Sequence, residues 1–213
     1  MIDKSLCYID RKRCVIKIFR VFMDNKLLKC GVVGGVVVFI WCLISWMILP
    51  WHELSLKQFK DEKKVYEAIR DNAPVSGVYI LPNMYVYRDG MSKSDMNKMV
   101  ANQQEMMAKG PVMFACVSRE GVKGMSIRPF IISLIIQIIG GLIITWMLLQ
   151  TKFNAFKKQV AFVTIAGLLV GILGVLPAWN WWAMSMSYTL SIILDLVIGW
   201  FLAGIAISKL LRR

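Results

Sequence analysis

The sequence predicts an α-helical integral membrane protein, with four transmembrane helices and a small α+β extracytoplasmic cap between the first and second. Three observations predict this. Four apolar stretches, 31–50, 130–150, 160–177 and 186–208, reach or approach the ~20 residues needed to cross a hydrocarbon core. A single sizeable polar region, 51–129, separates the first two. The Lys and Arg residues gather in the segments that a four-span topology puts on one side.

The overall composition agrees. Of the 213 residues, 57% are hydrophobic, above the ~45–50% usual for soluble domains. The net charge of +13 raises the possibility of nucleic acid. Its placement gives a simpler account, so no nucleic-acid partner is expected. Lys4, Arg11, Lys12, Arg13, Lys17, Arg20, Lys26 and Lys29 precede the first stretch, within a basic N-terminal segment 1–30. Lys152, Lys157 and Lys158 lie in the loop 151–159, and Lys209, Arg212 and Arg213 in the tail 209–213. Positive loops stay cytoplasmic, so both termini are expected there.

Taking the elements in order, the first stretch follows a basic leader but exceeds a signal-peptide core of roughly 7–15 residues, and no small-residue cleavage site follows it. It reads as an uncleaved signal anchor. The loop 178–185 carries no Lys or Arg, as an exported loop should. Trp46, Trp51, Trp179, Trp181 and Trp182 collect at the expected outer interface, where indole rings settle at headgroup level. A bacterial inner membrane, with a periplasmic cap, is the expected setting.

Within the cap, Ser55 and Gln58 have capping-box spacing, so a helix is expected from there to about Asn72, with Leu56, Phe59, Tyr66 and Ile69 on its apolar face. Residues 77–82 (GVYILP) and 84–87 (MYVY) are β-type runs bounded by turn formers. Ser92 and Asp95 open a second helix bearing Met96, Met99, Val100, Gln103 and Met107, which Gly110 and Pro111 stop. Residues 111–118 are a third β-type run. At about 80 residues the cap is toward the lower end of sizes that fold alone, so it is expected to lean on the spans or on a partner.

Asp195 is the chemical anomaly. It is the only charged residue between Lys158 and Lys209. An ionised carboxylate at the centre of a span costs about 2.5–3.5 kcal/mol on insertion scales. One reading is an ion relay or polar anchor. The other is a protonated, hydrogen-bonded carboxyl facing Gln137, Thr164 or a neighbouring subunit. The sequence suggests no Lys, Arg or His at its depth. Gly199, four residues on, shares its face, so the carboxyl is expected at a helix contact.

Small residues one turn apart recur at Gly31 and Gly35, at Gly167 and Gly171, and at Gly199 and Ala203, where helix backbones can approach closely. This serves either packing within the chain or subunit association. His52 is expected to be an interfacial polar residue, since one His builds no zinc site. The five cysteines form no CxxC or ligand spacing. Neither metal nor cofactor is expected. No catalytic motif is present, and the chain is not expected to be an enzyme. The expected role is a non-enzymatic accessory, assembly or scaffolding subunit, in contact with the lipid bilayer and with other membrane-protein subunits or itself. The alternative is a small oligomeric transporter or channel-like protein using Asp195.

Overall fold

Among the described residues, four helices are long and apolar enough to cross a membrane: α1 (Asn25–Met47), α5 (Ile127–Leu149), α6 (Phe156–Trp182) and α7 (Met186–Leu211). Between α1 and α5 lie α2 (Trp51–Ser55), α3 (Glu62–Asn72), β1 (Gly77–Leu81), α4 (Lys93–Lys109) and β2 (Met113–Val117). The computed structural model describes residues 25–83, 89–122 and 126–212. The β-type run expected at 84–87 lies outside the described residues.

The long helices differ from their expected bounds in instructive ways. α1 starts among its basic residues, so Lys26 and Lys29 belong to its first turns. α6 continues through Pro177 to Trp182, where a left-handed Ala183 (φ 54°) turns the chain. A proline removes one backbone bond, but helices continue past it where packing holds them. Ser185 caps α7, its hydroxyl accepting from the Tyr188 N–H.

The four helices do not close into a ring. α1 packs on α5 and α7, and α7 packs on α6, while α5 and α6 barely meet. The spatial order is therefore α5, α1, α7, α6. The core runs along this row through Cys30, Val38, Ile144, Leu148, Val163, Trp200, Ala203 and Ile207.

The small residues set these contacts within the chain. A Cβ on Gly141 would collide with the Gly31 carbonyl, and one on Gly35 with the backbone of Ile138. α1 and α5 thus touch backbone to backbone, which glycine alone permits. Gly167 of α6 receives Trp200 of α7, and a Cβ there would stand 2.7 Å from the indole. Gly171 faces Ile193 and Gly199 faces Trp41. Ala203 is fully buried.

The cap is slighter. β1 and β2 pair antiparallel, Gly77 opposite Val117 and Leu81 opposite Met113, as a two-stranded sheet. Neither α3 nor α4 buries a residue. The helix expected from Ser55 begins instead at Glu62. Ser55 closes α2, donating to the His52 carbonyl, and Asp61 caps α3 by accepting from the Lys64 N–H. The Ser55 capping box therefore fails because its hydroxyl is already bound in the preceding turn. Leu56 and Phe59 lie before the helix and are exposed. α4 forms as expected, with Ser92 accepting from the Asp95 N–H and Gly110 at its end (φ 66°). Its expected apolar face is partly sheltered at Met96, Met99, Val100 and Gln103 and exposed at Met107. The sheet meets the long helices where Phe114 tilts against Trp182, ring centres 4.8 Å apart.

Candidate functional site

Asp195 has a partner that the sequence did not suggest. α1 ends at Met47, and Pro50 opens the single-turn helix α2, which folds back against α7. This brings His52 onto Asp195, with Nε2 2.7 Å from Oδ2. Ser45, near the end of α1, donates to Oδ1 of the same carboxylate. Its hydroxyl oxygen accepts from Trp51 Nε1 at 2.8 Å and lies 3.1 Å from His52 Nε2. Three elements thus meet in one closed network.

The site is buried and aromatic. His52 is 2% exposed and Asp195 7%. Trp46 stacks on the imidazole, centroids 3.8 Å apart and planes 10° from parallel, while Trp51 meets it edge-on at 6.1 Å. Both carboxylate oxygens are engaged, so burial leaves neither unsatisfied. His52 Nδ1 and Trp41 Nε1, in contrast, are buried with no hydrogen-bond partner among the described residues.

The geometry restricts the chemistry. Ser45 and Asp195 converge on the same imidazole nitrogen. A nucleophile–base–acid series needs them on opposite nitrogens, so that the base can accept the hydroxyl proton while the acid orients it. Here the serine hydroxyl hands its hydrogen to the carboxylate. The arrangement ties α1, α2 and α7 together and positions one titratable pair.

The expectation that no His lies level with Asp195 is thus overturned. Asp195 stands nine residues, about 13 Å, into α7 from its cap end. Ser45 is close to the corresponding end of α1. The helices are offset along the bundle, and α2 dips into the step between them. Gln137 and Thr164 are elsewhere. Gln137 lines a groove between α1 and α5 with Phe39, Trp46 and Phe130, and Thr164 donates to the Val160 carbonyl of its own helix. Neither bonds Asp195 in the structure. Gly199 does share the Asp195 face and packs on Trp41, so the helix contact expected there is present.

Sequence reasoning missed Ser45 and His52. The available signal was the chain's one histidine, placed just past the first apolar stretch and flanked by Trp46 and Trp51. Among the described residues no group of three or more His, Cys, Asp or Glu is arranged to hold a metal ion. Comparison with protein-family models, with curated proteins and with solved structures finds no match to this chain.

Proposed function

We propose that this chain is a multi-pass protein of a bacterial inner membrane, with both termini cytoplasmic and the cap outside. We further propose that it serves as a non-enzymatic accessory, assembly or scaffolding subunit of a membrane complex. One observation carries this reading: the cap is left apolar on its outside. Leu54, Leu56, Phe59, Tyr66, Val75 and Val78 are all more than half exposed, and neither α3 nor α4 has a fully buried residue. Exposed apolar clusters of this kind mark surfaces that a partner completes. The network around Asp195 supports the same reading, because it satisfies the carboxylate within one chain and anchors the segment leading to the cap.

Purification in mild detergent tests the proposal. A second protein should be recovered in constant ratio, and the double variant Leu56→Ser/Phe59→Ser should lose it while keeping the chain's own melting behaviour. Recovery of a single monodisperse species with no companion would refute the accessory role.

A second reading, a small oligomeric transporter or channel-like protein coupled through Asp195, has one observation in its favour. The acid sits beside a titratable His52 with one nitrogen still open to a partner. Asp195→Asn keeps the hydrogen bonds and removes the charge. A coupled transporter would lose flux in that variant, whereas a scaffold would keep its function.

A further inference from the structure

At the end of the bundle away from the cap, two grooves flank the first turns of α6. One runs between α6 and α7, has a volume of about 490 Å³, and is lined by Phe156, Lys157, Thr164, Ile165, Phe201 and Ile205 among others. The second lies on the seam where α5 and α6 barely meet. It has a volume of about 400 Å³ and includes Met147, Phe153, Lys158, Phe162 and Leu169. Ala161 and Ile165 line both, so the grooves are separated only by one ridge of α6.

Each groove has a lysine at its outer end and is otherwise almost wholly apolar. Along α6 they extend from Phe156 to Ile165 and from Lys158 to Leu169, or about 13 and 16 Å. Half of a ~30 Å hydrocarbon core is about 15 Å, the depth of one leaflet. Among the described residues the charge at this end is one-sided. Lys29, Lys152, Lys157, Lys158, Lys209 and Arg212 gather there, and Asp195, far along α7, is the sole carboxylate described between residues 126 and 212. Arg212 is held close to α6 by donating to the Asn154 carbonyl at 3.3 Å and by lying over the Phe156 ring at 5.3 Å.

We infer that this end of the bundle is a binding site for an anionic phospholipid. One acyl chain lies in each groove astride α6, and the phosphate sits among Lys157, Lys158 and Arg212. Paired apolar grooves of leaflet depth fit a two-chain lipid, and the unbalanced cations select an anionic headgroup over a zwitterionic one. The inference rests on the membrane reading proposed above but not on the accessory role.

The test uses full-length protein from carbonate-washed membranes, delipidated in mild detergent. It is titrated with dioleoyl phosphatidylglycerol or dioleoyl phosphatidylcholine, and bound lipid is counted by native mass spectrometry. Phosphatidylglycerol should bind at least about tenfold more tightly. Each neutralised lysine should weaken it about fivefold, so Lys157→Gln/Lys158→Gln should lose about 25-fold. The cap variant Lys63→Gln/Lys64→Gln should bind like the parent. Ala161→Phe, which puts a bulky ring on the ridge shared by the grooves and keeps the charges, should weaken lipid binding as well. Equal retention of the two lipids by the parent protein would overturn the site, as would parental binding by Lys157→Gln/Lys158→Gln. The two lysines are exposed, so that variant decides the matter even where Ala161→Phe fails to fold. Release of the parent protein by carbonate would overturn the membrane reading itself, and the lipid site with it.

Discussion

The helix row and the cap are built from one chain by opposite means. In the row, shape is fixed by contacts that tolerate no added atom: Gly141 on Gly31, Gly35 on Ile138, Gly167 on Trp200. In the cap, the described elements hold together by a single pair of five-residue strands and a few polar ties, and α3 and α4 have no fully buried residue. The difference shows where specification comes from in each environment. Between apolar helices in lipid there is no gain from hiding hydrocarbon, so close backbone fit and rare polar contacts decide the packing. In water, burial is the main driving force, and the described cap helices supply little of it.

The largest way to break this contrast is at the row. Gly141→Leu must push α1 from α5, and it should cost at least about 3 kcal/mol, the upper range for overpacking. The check is thermal unfolding in detergent, where the variant should melt far below the parent or fail to accumulate. A parental melting curve would mean that the α1–α5 contact is not tight.

Next in size is the polar network. Asp195→Ala removes the group that His52 and Ser45 both bond and should destabilise by about 1–3 kcal/mol, as leaving buried polar groups unsatisfied does. Asp195→Asn, which keeps a hydrogen-bonding amide, should cost clearly less. Identical melting points for the two variants would sink the idea that hydrogen bonding holds α2 to α7.

The smallest effect belongs to the cap. Arg119 Nη1 donates to the carbonyls of Arg70 and Ala73, and the Arg119 N–H donates to Ser76. Arg119→Ala should cost about 1 kcal/mol, the ordinary net worth of such bonds. Hydrogen exchange should quicken in α3 alone and leave the long helices unchanged. Faster exchange in α6 or α7 would show that cap and row are more tightly coupled than their few contacts suggest.

The long helices were legible in the sequence because apolar length is a strong signal and needs no knowledge of partners. Their faces were partly legible too. The turn spacing of Asp195 and Gly199 was enough to put the carboxylate at a helix contact. What the acid touches was not legible. Depth was judged along each stretch as if all four were level, whereas α1 ends early and α2 descends into the gap. Relative offset of helices is a tertiary property that no single stretch encodes. The start of α3 was misjudged for a related reason. Ser55 and Asp61 are both good caps, and only the existence of α2 decides that Ser55 is already in use.

The spatial order of the helices has a consequence for how the chain must assemble. α1 precedes the other three long helices in the chain, yet it lies inside the row, and its neighbours α5 and α7 follow it by many residues. Among the described elements α6 has one substantial neighbour, α7, which follows it. A nascent chain that has released α6 but not α7 therefore holds a helix with nowhere to dock, and a first helix with one flank bare. Its carboxylate lock is also incomplete, because Ser45 and His52 precede Asp195 by well over a hundred residues. α7 acts as a keystone: until it is in place, α6 lacks its main packing surface and α1 lacks one of its two.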